Sequence, residues 1–312
     1  MKISLPKLLS ILLVLAVLLP VSAFQSLAAR PVTIYGVDRV SNLGDLSTLS
    51  GWHIGLAIVD VYTSGSTTTW QALYTAASNA GVEIVIWPNQ GQDYPGCSWE
   101  NPFIPKNGDY LVKARPMLTW WHGKARGVVI AHEPQRQESC PDSISDMAAI
   151  TAQIHTEFPG LEVWNYSDNI VEIRNIPGYT STADFDRIAD VHVTWQHCAG
   201  NSESPCTGAG STLEKIKKDR AALDAAGSRA KLVFLQQTFT TGGTYRTKFT
   251  LSQLQDYSRQ FIQTGALDGF VYYTWDAWWP DLHQWTELHP AIPFIYDNYI
   301  AGNATPSSPT AT

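Results

Sequence analysis

Residues 125–134 read Ala-Arg-Gly-Val-Val-Ile-Ala-His-Glu-Pro, and this stretch decides how the rest of the chain is interpreted. Its run 127–131 is apolar without alternation, a pattern typical of a parallel strand that is covered on both faces. Glu133 follows the run, and Pro134 comes directly after it. In a barrel of parallel strands the active face lies at the carboxyl ends of the strands, so Glu133 is placed where catalysis is usually done. Partial desolvation at such a tip suits a carboxyl group to general acid catalysis.

Short apolar runs like this one recur along the chain at an even spacing. They predict eight strands at residues 32–37, 53–61, 82–87, 127–132, 161–165, 191–195, 232–235 and 269–274. Stretches with helical periodicity lie between them, at residues 67–80, 109–124, 144–158, 212–226 and 251–264, with a weaker one within 169–176 or 183–188. Eight alternating units of this kind predict an α/β fold, a single (β/α)8 TIM barrel. A doubly wound open sheet would bring a glycine-rich phosphate turn after the first strand, and residues 35–40 contain none.

The two ends of the chain differ in composition from the predicted barrel domain, which takes residues 30–302. Residues 1–29 combine two early lysines with a short apolar stretch and small residues at candidate cleavage points, which predicts a signal peptide and secretion. A membrane anchor is the rival interpretation, but the apolar stretch falls short of the roughly 20 residues that a spanning helix needs. Residues 303–312 are rich in Pro, Ser and Thr and predict a tail or linker.

Composition narrows the class of partner. The net charge of −7 comes with only 16% charged residues and no basic stripe, so we expect no nucleic-acid partner. Trp and Tyr number 12 and 13, and such flat rings form platforms for the apolar faces of sugars. We therefore expect a carbohydrate substrate. We also expect a monomer that has no membrane contact once the leader is removed and needs no cofactor.

Four cysteines follow predicted strands three, four and six. In an oxidising compartment the natural pairing joins Cys97 to Cys140 and Cys198 to Cys206, although four cysteines allow three connectivities. A metal site is the alternative, but no CxxC or HxxxH spacing supports it.

The predicted strand tips carry a ring of polar and aromatic side chains. They are Asp38, Asp60, Trp87, Asn89, His132, Glu133, Asn165, Asp168, Trp195, His197, Gln236, Gln237, Trp275 and Asp276. Such a mixture is what a cleft that binds glycans requires. Sugar subsites are assigned to Trp87, Trp195, Tyr273 and Trp275. Hydrogen bonds to sugar hydroxyl groups are assigned to His132, Asn165 and Gln237, and Asn89 and His192 complete the substrate-binding set.

A barrel with Glu133-Pro134 at the end of strand four resembles the large clan of secreted (β/α)8 glycoside hydrolases. Members carry their acid/base Glu at that tip, often as Asn-Glu-Pro, where this chain has His132-Glu133-Pro134. The strand-eight sequence GFVYYTWDAWW (residues 269–279) is also similar to theirs, in which a Trp lines the sugar subsite. The resemblance implies a glycoside hydrolase with Glu133 as general acid.

One departure from that clan concerns the nucleophile, a second Glu that ends strand seven in its members. Here strand seven ends in Gln236-Gln237, and an amide cannot form a stable glycosyl ester. Another carboxylate would then act as base or nucleophile, with Asp38 and Asp276 as the leading candidates and Asp168 as a third. The chain resembles barrel-type muramidases in its Asp on strand one and Glu on strand four, but Ala131 stands where their strand-four Asp is expected.

Three further interpretations remain open. Substrate assistance, as in chitinase-like barrels, needs a single Glu, but the Asp run that precedes it in those barrels is absent here. A non-catalytic carbohydrate-binding barrel would have lost the strand-seven nucleophile. A metal-dependent deacetylase would use His192, His197 and an Asp, although an HxH pattern on strand one is missing.

Overall fold

The computed structural model describes residues 30–62, 65–89, 110–132, 134, 143–167, 169–196, 209–238, 248–275 and 281–303. The predicted leader, the four cysteines and all but the first residue of the predicted tail lie outside these residues.

Eight parallel strands form a closed barrel in the order β1 to β8, which confirms the predicted fold class. The strands are β1 Ile34–Asp38, β2 Leu56–Tyr62, β3 Glu83–Asn89, β4 Gly127–His132, β5 Glu162–Tyr166, β6 Val191–Gln196, β7 Lys231–Gln237 and β8 Gly269–Tyr273. Each strand pairs with the next one in parallel around the ring, and β8 closes it against β1. The closed ring therefore leaves no exposed sheet edge.

Helices follow the strands and cover the barrel. They are α1 Asp45–Gly51, α2 Thr67–Ala80, α3 Tyr110–Trp121, α4 Ile144–Glu157, α5 Asp184–Ile188, α6 Ala209–Ala225, α7 Leu251–Ile262 and α8 Ala291–Ile295. Short 3-10 turns occur at Ile170–Asn175, Thr286–Leu288 and Ala301–Asn303, and a π-helical turn at Tyr296–Ile300 extends α8. None of the helices within the described ranges is long and apolar enough to span a bilayer.

Helix α2 illustrates how the sequence sets an element's limits. The Ser66 side chain accepts a hydrogen bond from the backbone N–H of Thr69 and caps the helix at its start. Gly81 ends the helix with φ of 68°, a left-handed conformation that glycine adopts without strain. These two signals explain why the predicted range 67–80 agrees with the structure.

Two local differences separate the predicted and observed elements. Residues 53–55 were expected to begin strand two, but His53 has φ of 65° and belongs to the turn that ends α1, so β2 begins at Leu56. Helix α1 was not predicted, because it has only seven residues and Gly44 at its N-cap makes no side-chain hydrogen bond. Both segments proposed for the weak fifth helix are helical, as a 3-10 turn and as α5.

Candidate active site

Side chains that face the barrel axis at the carboxyl ends of the strands form the candidate site, called the mouth below. Successive residues of a strand face opposite sides, and paired residues of neighbouring strands share a side. Asp60 pairs with Trp87, His132 with Tyr166 and Gln237 with Tyr273. Together with Asp38 and Trp195 these residues line the mouth.

An irregularity in β4 brings His132 to this face. Val129 pairs with Trp164, but the register shifts before Ala131, which pairs with Asn165. Without the shift, His132 would be displaced by one residue relative to β5 and would face the helices. A bulge of this kind commonly re-aims a side chain next to an active site.

Aromatic rings pack closely around the mouth. The ring centroids of Trp87 and Tyr166 lie 4.6 Å apart in an edge-on arrangement, and His132 stacks on Trp195 at 5.4 Å. Both indoles are 3% exposed. The Arg39 guanidinium lies 4.4 Å from the centroid of the Trp87 ring. Trp87 and Trp195 therefore form a compact cluster of stacked rings, where broad open platforms were expected.

Asp38 is the carboxyl group that this environment perturbs most. It ends β1, is fully buried, and neither carboxyl oxygen has a hydrogen-bond partner among the described residues. Burial raises its pKa, the charge of Arg39 lowers it and the charge of Asp60 raises it, and the net result is a pKa of about 7. A carboxyl group with this pKa exchanges protons readily near neutral pH.

Arg39 connects the two aspartates of the mouth. Its φ of 63° is unusual for a residue other than glycine, and such strain is retained where the surroundings fix the conformation. The guanidinium Nη1 donates a hydrogen bond to the Asp60 carboxylate at 3.2 Å. Burial disfavours its charge, but Asp60, Tyr273, Asp38 and Tyr166 together outweigh burial, so the pKa of Arg39 lies above its ordinary value and the side chain is cationic.

Tyr166 is a member of the mouth that the sequence reasoning missed. Its side chain is 1% exposed, and its hydroxyl has no hydrogen-bond partner among the described residues. Burial raises its pKa well above the ordinary value, and Asp38 is the charge that adds most to this effect. The signal in the sequence was the alternation along β5, which puts Tyr166 and its predecessor Asn165 on opposite faces.

Three residues assigned to substrate binding do not join the mouth. Asn165 faces the helices, and its side-chain nitrogen donates to the Ser167 hydroxyl at 2.8 Å. His192 is buried against α5, with its Nε2 3.0 Å from the carbonyl oxygen of Phe185, and burial lowers its pKa to about 4. Both side chains thus face away from the barrel axis, which the sequence does not reveal because covered strands carry apolar residues on both sides.

Trp275, the third of these residues, has a structural position. It is 2% exposed, and its indole nitrogen donates to Asp45 at 2.9 Å. Its ring packs against Trp52 and His289, and its backbone N–H donates to the carbonyl oxygen of Asp38 at 2.8 Å. Trp275 thus joins the end of β8 to the end of β1 through its backbone.

Strand β7 ends at Gln236 and Gln237, which are both buried. Gln237 pairs with Tyr273 and faces the mouth, whereas the side chain of Gln236 donates to the backbone carbonyl of Gln237 at 3.2 Å. The described part of this tip therefore carries amides where a strand-seven nucleophile would carry a carboxylate.

Several predicted site residues lie outside the described residues. They are Glu133, Asp168, His197, Asp276, Cys97, Cys140, Cys198 and Cys206. Asn89 ends β3, but its side chain also lies outside them. Within the described ranges no group of three His, Cys, Asp or Glu side chains could hold a metal ion.

Three cavities lie away from the mouth. One of about 800 Å³ is open between α2 and Trp120, and one of about 510 Å³ lies at the opposite end of the barrel beside Tyr35 and His53. A third of about 380 Å³ is lined by charged residues such as Asp186 and Lys231. None of the three is lined by Asp38 or Tyr166.

Comparisons with known proteins identify the class of fold. No protein-family model and no curated protein matches the chain. Among solved structures it is similar to a GH30 endoxylanase from Clostridium papyrosolvens C71, with 12% identity, a TM-score of 0.59, and coverage of 86% of this chain and 73% of that one. It is also similar to an exo-β-1,4-mannosidase from an Opitutaceae bacterium, strain TAV5. The identity is 11%, the TM-score is 0.58, and the match covers 88% of this chain and 61% of that one.

A fungal endo-β-N-acetylglucosaminidase of glycosyl hydrolase family 18 is 16% identical with a TM-score of 0.53, and the match covers 84% of this chain and 97% of that one. The chain spans less than two thirds of the mannosidase's length. At these identities the similarity establishes the fold alone. The protein has the eight-stranded parallel barrel that these glycoside hydrolases share.

Proposed function

We propose that the protein is a secreted glycoside hydrolase in which Glu133 is the general acid and Asp38 is the general base. The observation that carries the proposal is the Asp38 carboxyl group, buried at the barrel mouth without a hydrogen-bond partner among the described residues and with a pKa raised to about 7. A buried carboxyl group with this property at the carboxyl end of a barrel strand is a candidate for proton transfer.

The raised pKa favours Asp38 as a base over a nucleophile. Both roles need the ionised carboxylate, but a general base is most effective when its pKa lies near the working pH, as that of Asp38 does. Strand β1 is separated from β4 by two strands on one side of the ring. Such a placement supports the wider carboxyl separation of inverting enzymes, roughly 6.5–9.5 Å, which leaves room for a water molecule.

In the proposed reaction, Asp38 takes a proton from a water molecule as the water oxygen bonds to the anomeric carbon. Glu133 gives its proton to the glycosidic oxygen as the bond from that oxygen to the anomeric carbon breaks. The two carboxyl groups then return to their starting protonation states by exchange with solvent. Asp276 is the competing partner, and an Asp276→Asn variant that loses activity while Asp38→Asn keeps it would transfer the role of base.

The proposed substrate is a neutral glycan chain or glycoconjugate. The structural neighbours include an endoxylanase, a mannosidase and an endo-β-N-acetylglucosaminidase, all of which act on glycans. Trp87, Trp195 and Tyr273 would present ring edges to the sugar, while His132 and Gln237 would bond its hydroxyl groups. We propose that the protein acts as a monomer and needs no cofactor, nucleic acid or membrane.

A glycan panel tests this function. Purified protein is incubated with neutral polysaccharides and glycoconjugates, and new reducing ends are measured together with the anomer formed first, by proton NMR. We expect release of the inverted anomer, and a loss of at least about 100-fold in Glu133→Gln and in Asp38→Asn. Glu214→Gln, an exposed position on α6, is the matched control and should behave as wild type. Full activity of Glu133→Gln would refute the assignment.

One observation favours a second candidate, a non-catalytic carbohydrate-binding barrel. The tip of β7 presents Gln237 to the mouth in place of a carboxylate. This candidate predicts glycan binding, measured by calorimetry, that is equal in wild type and Glu133→Gln, with no new reducing ends from any glycan in the panel.

A further inference from the structure

Two buried polar groups of the mouth lack partners and lie on opposite strands of the barrel. They are the Asp38 carboxyl group on β1 and the Tyr166 hydroxyl on β5. Within the described ranges, neither Asp38 oxygen nor the Tyr166 oxygen makes a hydrogen bond. Both side chains are at most 1% exposed.

A chain of contacts brings these groups to the same space. The Tyr166 ring lies 4.6 Å from that of Trp87, and the Arg39 guanidinium lies 4.4 Å from the Trp87 ring on the side of Asp38 and Asp60. Asp38 is also the charged group that acts most strongly on the Tyr166 hydroxyl. The carboxyl group and the hydroxyl therefore lie near each other on the inner side of the barrel.

Leaving such groups unpaired is costly, at about 1–3 kcal/mol for each buried polar group. The same barrel satisfies its other buried tyrosines, because the hydroxyls of Tyr35 and Tyr272 lie 3.0 Å apart and Tyr35 donates to the carbonyl oxygen of Ile292. Two neighbouring buried polar groups that both lack a hydrogen-bond partner are a common mark of a bound water molecule or ligand.

We infer that Asp38 and Tyr166 together hold the water molecule that attacks the glycosidic bond, with Tyr166 as its positioning residue. This inference rests on the proposed function. One O–H of the water donates to Asp38 and the other to the Tyr166 oxygen, which leaves a lone pair of the water directed at the anomeric carbon. The proton lost in the attack passes to Asp38 as the new carbon–oxygen bond forms, and Glu133 protonates the leaving oxygen.

Tyr166 acts here by orientation and not by proton transfer. Its pKa is raised well above the ordinary value, so the hydroxyl stays protonated at any working pH. The oxygen lone pairs of the neutral hydroxyl can accept a hydrogen bond and fix the direction of the water, but the hydroxyl does not take up the proton. Misplacing a reacting group by about 1 Å can cost roughly 100-fold in rate.

Tyr166→Phe tests the inference, with Tyr272→Phe as the matched control. Both variants remove one hydroxyl from a fully buried strand tyrosine, but the hydroxyl of Tyr272 faces Tyr35 on the outer side of the sheet. On a glycan that wild type cleaves, we expect Tyr166→Phe to lose about 100-fold in kcat with little change in KM, while Tyr272→Phe stays within a few-fold. We also expect the acidic limb of the pH–rate profile to move to higher pH in Tyr166→Phe alone, because the ionised Asp38 loses solvation. Equal losses in both variants, or an unmoved limb, would overturn the inference.

A second measurement does not depend on activity. A high-resolution crystal structure of the wild-type protein should contain an ordered water within hydrogen-bond distance of both Asp38 and Tyr166, and Tyr166→Phe should lack it. If Tyr166 instead bonds directly to another protein group, or the space is dry, the inference fails. Should the water be present while no glycan is cleaved, the proposed function fails and the assigned role of Tyr166 in the reaction fails with it, but the water site stands.

Discussion

The two ends of the barrel treat charged groups in opposite ways. At the end where the strands begin, Glu162 of β5 accepts a hydrogen bond from the Arg126 Nε at 3.0 Å and another from Lys231 of β7. Trp164 adds a third donor at 3.2 Å, and Arg126 also pairs with Glu83. At the mouth, Asp38 and Tyr166 have no such partners among the described residues.

The pKa values of the two acids follow this difference. Burial alone would raise the pKa of Glu162, but Lys231 and Arg126 lower it below the ordinary value. Burial raises the pKa of Asp38, and the charge of Arg39 opposes this only in part, so the pKa is about 7. The end where the strands begin therefore pairs its charged groups, which favours stability. The mouth keeps unpaired groups at a cost in stability, as expected of the face that carries function in such barrels.

Among the variants that test this comparison, Asp38→Asn at the mouth should have the largest effect. We expect hydrolysis to fall by about 10²–10⁴-fold, because the base is lost. Its measurement is kcat/KM on the glycan that wild type cleaves. Retention of more than a tenth of the wild-type value would contradict the role of Asp38.

The same variant should gain stability, since Asp38 has a higher pKa in the folded than in the unfolded chain. Wild-type stability is therefore lost as the pH rises from about 4 to about 7, when the unfolded state releases a proton that the folded state retains. Asp38→Asn lacks this loss. Between pH 4 and pH 8 its free energy of unfolding should therefore rise relative to that of wild type by on the order of 3 kcal/mol. Urea denaturation at the two pH values measures the difference.

Glu162→Gln should break the other side of the comparison. Removing the Glu162 carboxylate leaves the Lys231 ammonium and the Arg126 Nε without their charged partner. We therefore expect the free energy of unfolding at pH 7 to fall by about 2 kcal/mol. Because the pKa of Glu162 is lowered in the folded state, this loss should shrink as the pH falls below about 4. The kcat of Glu162→Gln should equal that of wild type, and a large fall in kcat would count against the separation of the two ends.

The smallest effects should come from the neighbours of Asp38. Asp60 raises the pKa of Asp38 and Arg39 lowers it. Asp60→Asn should therefore move the acidic limb of the pH–rate profile to lower pH and Arg39→Gln to higher pH, each by less than about one pH unit. Asp297→Asn, at the opposite end beside His53, is the control and should leave the limb in place.

The fold could be predicted because its signals are local. Covered strands and capped helices follow from short runs of sequence, as the agreement at β4 and α2 illustrates. Helix α1 was missed because a seven-residue helix without a side-chain cap leaves almost no periodicity.

The site was only partly accessible from the sequence, since facing depends on the register of the sheet. Asp38 was singled out as a tip residue, but Asn165 was chosen where its successor Tyr166 lines the mouth. A displacement of one residue reverses the face, and strands that are apolar on both sides do not reveal it. The shift in β4 that turns His132 inward is equally invisible in the sequence.

The pKa of Asp38 is the measurement that tests the central claim most directly. Carbon-13 NMR of the side-chain carboxyl group, assigned by its absence in Asp38→Asn, would follow the titration in the ligand-free protein. The account predicts a midpoint of about 7. A midpoint near the ordinary value for aspartate, about 4, would contradict it, because Asp38 would then be solvated or paired and the mouth would not hold an unpaired base.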